Sequence, residues 1–108
     1  MAEAFILAAA RTPIGKFMGG LADLKSPELG AVAIAEVLRR AKARPEQIDE
    51  VIMGCVLQAG VGQNPARQAA LKAGLPPTIS AVTVNKVCGS GLQAGMQAPP
   101  AVRAGDAE

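Results

Sequence analysis

The chain has 108 residues, half of them apolar, with 11 basic and 9 acidic side chains and a net charge of +2. So small a charge gives no electrostatic footprint for nucleic acid, and the balance is that of a soluble globular protein. No apolar stretch is long enough to span a bilayer, and the first residues lack the pattern of a secretory signal, so no membrane partner is expected.

Taken in order, "EAFILAAA" reads as a short buried strand ending before Arg11, and "RTPIGKFMGGLADLKS" as a long glycine-rich loop. Ser26-Pro27-Glu28 is a helix start, with a hydroxyl at the N-cap, proline at the first helical position and an acid in the first turn. Leu29, Val32, Ala33, Val37, Leu38 and Ala41 then recur at helical spacing, and the helix is expected to stop near Arg44, because Pro45 cannot continue it. "DEVIMGCVLQ" is a second strand with "GVGQN" as its turn. Asn64-Pro65 opens a short helix closed by Gly74.

"LPPTISAVTVNKVC" contains a third strand, rich in β-branched residues, and a third helix is expected to begin close to Gly89. Pro99-Pro100 should end that helix near Ala98 and open a separate short turn through Arg103, since an interior proline removes a backbone bond and clashes with the preceding turn. The order β-α-β-α-β-α implies right-handed crossovers and a mainly parallel sheet covered by helices, in one domain over residues 1–108. At this length the core is modest.

Histidine, tryptophan and tyrosine are absent, so the chain carries no imidazole base and no imidazole ligand for a metal. Two cysteines make no disulfide framework, and a reducing cytoplasm is the expected compartment. Several phosphate and hydrolase signatures fail on inspection. "GVGQNP" has Pro65 where the dinucleotide fingerprint needs its last glycine, Gly15-Lys16 lacks the flanks of a phosphate loop, and "CGSGL" lacks the outer glycines of a nucleophile elbow.

Cys55 falls within the second expected strand and reads as a small core residue. Cys88 is placed differently, between the end of a strand and the start of a helix. There the helix dipole and free N–H groups favour a thiolate, and Gly89 and Gly91 clear its approaches. A backbone N–H at such a turn can also donate to a developing oxyanion. On these grounds Cys88 is either a functional thiol or part of a tight strand–helix packing turn.

At "VNKVCGSGLQA" the chain resembles the nucleophile segment of the thiolases, the acetyl-CoA acetyltransferases. "ARTPIGKF", "ELGAVAI", "IDEVIMGCVLQAGVGQNPARQAALKAGLP", "TVNKVCGSGL" and "AVRAGDA" follow family segments in order and spacing. The resemblance implies an incomplete, thiolase-like α/β fold, the β-α-β-α-β-α portion of the family's N-terminal half, whose full sheet is of mixed type. It further implies that Cys88 takes the acyl group from an acyl-CoA as an acyl-cysteine and helps hold the thioester oxyanion with its own N–H. Coenzyme A thioesters would be substrates, with no bound cofactor and no metal, and the setting would be fatty acid metabolism. Family members are dimers or tetramers paired through the strand leading into the cysteine, here about Ala81–Val87.

The family's activating histidines and second, acid–base cysteine belong to its later half. The resemblance therefore implies that this chain alone is inactive in turnover. In the family sheet the strand that would follow this chain lies beside the first, so Phe5–Ala9 would form an unpaired apolar edge. Two readings from other classes stand beside the enzyme: a non-catalytic association module that pairs with thiolase subunits, and a thiol redox protein, for which no C-x-x-C pair is present.

Overall fold

The structure, a computed structural model, describes residues 2–108. Its elements run α1 (Ser26–Ala41), a 3-10 turn (Pro45–Gln47), β1 (Glu50–Gly54), α2 (Pro65–Lys72), β2 (Ser80–Val84) and α3 (Ser90–Ala104). The two strands pair in parallel with Val51 opposite Ala81 and Met53 opposite Thr83. Helices α1 and α2 pack on each other, with α2 also against both strands, while α3 packs on β1 and β2. The α/β arrangement and the parallel pairing agree with the sequence reading.

The first expected strand does not form. Residues 2–16 carry no regular structure, and Phe5, Ile6 and Leu7 are 75, 92 and 79% exposed. An apolar run becomes a strand only when its N–H and C=O groups join a ladder, and among the described residues β1 pairs only with β2. The segment is tied instead to α1, where the Arg40 guanidinium donates to the Ala9 carbonyl at 2.6 Å.

Helix α1 starts one residue earlier in its capping than Ser26 suggests. Lys25 occupies the N-cap and its N–H donates to the Glu28 carboxylate at 2.6 Å, so Ser26 and Pro27 are already helical. The helix stops at Ala41 rather than Arg44, because Lys42 turns left-handed and its N–H closes back on the last turn. Helix α2 begins as expected: Asn64 caps it by accepting from the Arg67 N–H at 3.2 Å, with Pro65 at the first helical position. Gly74 follows with φ +89°.

Helix α3 runs unbroken to Ala104 with Pro99 and Pro100 inside it, contrary to the expected stop near Ala98. Neither proline can donate to the carbonyl four residues back, which orphans the Gly95 and Met96 carbonyls. Both of those residues are exposed, so water can satisfy the freed groups. The helix ends at Gly105, left-handed at φ +83°.

The core is small and alanine-rich. Val51, Ala66, Ala70, Leu75 and Ile79 are its buried centre, flanked by Ile34, Leu38, Ile48, Met53 and Ala81. Small side chains let the helices close in: a Cβ on Gly30 of α1 would lie 3.0 Å from the Ala69 Cβ of α2. Helix α2 is pinned to β2 by a polar seam. The Thr83 hydroxyl donates to the Asn64 Oδ1 at 2.7 Å and accepts from the Ala66 N–H at 3.0 Å.

Candidate functional site

The turn between β2 and α3 runs from Asn85 to Gly89, and it is held almost wholly by its own polar groups and those of Ser90. The buried Ser90 hydroxyl donates to the Val87 carbonyl at 2.6 Å and accepts the Lys86 N–H at 2.8 Å. The Gly89 N–H closes on the Lys86 carbonyl at 2.9 Å, and the Ser90 N–H on that of Val87 at 3.1 Å. Asn85 spans a longer distance. Its Oδ1 accepts from the Val87 N–H at 2.9 Å, and its amide nitrogen donates to the Val56 carbonyl at 3.1 Å, in the loop after β1.

Cys88 sits in this turn, exposed, one residue before Gly89, the N-cap of α3. The sequence reading placed it at this strand–helix junction, and the structure keeps it there. The residue before it, Val87, has φ +47°, a left-handed conformation that β-branched residues rarely adopt and that costs about 1–3 kcal/mol. Among the described residues the Cys88 N–H donates to no acceptor. An exposed thiol with an unpaired N–H at the same residue is chemically able to bind covalently to a carbonyl carbon and to hold the oxygen that becomes negative.

Two residues outside the expected set position this turn. A Cβ at Gly54, the last residue of β1, would lie 2.6 Å from the Ser90 carbonyl oxygen and closer still to the Ser90 carbonyl carbon and the Gly91 nitrogen. The bare backbone of Gly54 is what allows the first turn of α3 to seat on β1. Asn85 is the other, and its signal was an asparagine two residues before a β-branched one, the local pattern of an Asx turn. Lys86 reaches along α3 and donates to the Gln93 side-chain oxygen at 3.1 Å.

Cys55 lies just past β1 rather than inside a strand, because the ladder ends with its N–H donating to Val84 at 3.0 Å. It is half-buried, with its sulfur 3.9 Å from the Ser26 hydroxyl and 3.7 Å from the Leu57 carbonyl. A hollow of about 590 Å³ runs between β1 and α3 and is lined by Ile52, Gly54, Ala94, Ala98 and Val102. Cys88 does not line it. Among the described residues no three His, Cys, Asp or Glu side chains converge as metal ligands, and no helix is long and apolar enough to cross a membrane.

A family described as "Thiolase, N-terminal domain" matches residues 4–108. The chain belongs to the thiolase family. It is 62% identical over 108 residues to an acetyl-CoA acetyltransferase of Cupriavidus necator, which matches all of this chain and 28% of that protein. An acetyl-CoA acetyltransferase of Escherichia coli is 53% identical over the same length, with 27% of that protein covered. Among solved structures, the Acat5 thiolase from Ascaris suum in complex with coenzyme A superposes with a TM-score of 0.94 at 38% identity. It covers 96% of this chain and 27% of that one.

The chain thus spans a little over a quarter of the length of the thiolases it matches. The thiolase-like fold inferred from "VNKVCGSGLQA" and its companion segments is the fold observed.

Proposed function

We propose that this chain is the acyl-accepting portion of a thiolase-type acyl-CoA acyltransferase, with Cys88 as the nucleophile. The observation that carries the reading is the exposed Cys88 at the head of α3, with its own N–H unpaired, in a chain whose relatives are named acetyl-CoA acetyltransferases. In the first step the Cys88 thiolate attacks the thioester carbonyl carbon. A sulfur–carbon bond forms, the oxygen takes the negative charge beside the Cys88 N–H, and the bond to the coenzyme A sulfur breaks as coenzyme A leaves as a thiolate. In the second, the acyl carbon bonds either to the α-carbon of a second acyl-CoA, which has given up a proton to solvent or to a base outside these 108 residues, or to the thiolate of free coenzyme A. The Cys88 sulfur–carbon bond breaks and Cys88 leaves as a thiolate.

The 108 residues hold no histidine to move protons in either step. Positioned acid–base groups contribute about a hundred- to ten-thousand-fold, so we expect single acylation of Cys88 without steady turnover. A cytoplasmic setting within fatty acid metabolism fits the same reading.

Association of copies is part of it. The outer edge of β2 has no ladder partner among the described residues, and a dimer paired through the segment leading into Cys88, about Ala81–Val87, fits that open edge. The same edge supports the second reading, a non-catalytic module that docks on thiolase subunits.

Intact mass after incubation with acetyl-CoA decides between them. A gain of one acetyl group, absent in Cys88→Ala, is expected. A folded chain that gains none, yet co-purifies with a thiolase at fixed stoichiometry, would leave only the module.

A further inference from the structure

We propose that Asn85 is a positioning residue whose side chain holds Val87 left-handed and thereby sets the Cys88 thiol at the head of α3. The inference rests on reading Cys88 as the acyl-accepting thiol. Val87 is β-branched, has φ +47° and is 65% exposed, so no packing around its side chain forces that conformation on it. Local hydrogen bonds must do so.

The Val87 carbonyl is held from the α3 side by the hydroxyl and N–H of Ser90. The Val87 N–H is held from the other side by the Asn85 Oδ1 at 2.9 Å. Asn85 is in turn fixed by its donation to the Val56 carbonyl, 29 residues away in sequence. It therefore links the loop that leaves β1 to the residue preceding the thiol.

Asparagine suits the position because its short side chain reaches the N–H two residues on while its amide still carries donors for Val56. Aspartate keeps the acceptor and loses the donor. If Val87 relaxed to an extended conformation, the chain direction at Cys88 would turn and the sulfur would leave the first turn of α3.

The test is the alkylation rate of Cys88 by iodoacetamide in the 108-residue chain, followed by mass, with half-buried Cys55 in the same molecule reporting whether the fold stays closed. Asn85→Ala is expected to slow Cys88 about tenfold with Cys55 unchanged, because the reactivity of a thiol follows its placement at a helix N-terminus. Adding Val87→Gly should restore the rate to within about threefold, since glycine occupies the left-handed region without a side-chain clash. A purely structural tie between Asn85 and Val56 would not be rescued by a change at Val87.

An unchanged Cys88 rate in Asn85→Ala, or a slowed rate that Val87→Gly does not restore, overturns the proposal. If Asn85→Ala opens the fold, as a rise in Cys55 reactivity would show, the same rescue is sought in Asn85→Ser. Acetyl-CoA is run in parallel on the unmodified chain. Failure to acetylate, with the alkylation pattern intact, counts against the proposed function and leaves the positioning role standing.

Discussion

Gly54 and Ser90 meet backbone to backbone: the end of β1 and the first residue of α3 are so close that a Cβ on Gly54 would lie 2.6 Å from the Ser90 carbonyl oxygen. Cys88 hangs from this junction, two residues before Ser90. The obstructing atoms are main chain, so no rotamer change can make room.

Gly54→Ala is therefore expected to push α3 off the sheet. Overpacking of this kind costs about 1–3 kcal/mol, and the displaced turn should also lower the yield of acetylated Cys88. Urea denaturation gives the first quantity and intact mass after acetyl-CoA the second. An unchanged denaturation midpoint would show that the two backbones separate freely.

The prolines of α3 make the opposite prediction. An interior proline costs a helix about 3 kcal/mol, and two adjacent ones leave the Gly95 and Met96 carbonyls to solvent. Pro99→Ala/Pro100→Ala should stabilise the chain by about 3 kcal/mol or more and deepen the helical circular dichroism signal. A destabilised double variant would mean that the pyrrolidine rings pack on the N-terminal segment, which lines a hollow with Pro99.

Charge contributes at one place on α1. Hydrogen bonds from Arg39 and then Arg40 hold the Glu36 carboxyl down from its ordinary value of 4.5 to about 2, and Arg39 is raised in turn. A folded-state value below the unfolded one means that the contribution to stability is fully present above about 4.5. It is lost as pH falls through about 2. The cluster is exposed, so the effect should be small and should shrink in salt. Denaturation midpoints of the chain and of Glu36→Gln, compared from about pH 6 to about pH 2, are expected to converge at the acid end. Parallel curves would remove Glu36 from the account.

Much of the site is legible in the amino-acid sequence. The residue types between Val84 and Leu92 place a thiol at a strand-to-helix turn, and the turn is where the fold puts it. Asn64-Pro65 and Gly74 mark the limits of α2 because capping and left-handed closure are local chemistry. The apolar run Phe5–Ala9 misleads, since its strand character depends on a partner edge that no local pattern reports. Pro99-Pro100 misleads in the other direction: the rule for prolines is sound, but exposure of the two orphaned carbonyls lets the helix continue.

Short-range chemistry, then, is written in the sequence: the order of helices and strands from Ser26 onward, the caps, and the thiol at the head of the last helix. Only the tertiary structure decided that Gly54 must lack a side chain, that Asn85 reaches across to Val56, and that Val87 is held left-handed. Each of these joins backbone from distant parts of the chain, and such contacts exist only once β1, β2 and α3 have packed. Propensity and spacing act over a few residues; the approach of one main chain to another is set by the whole fold.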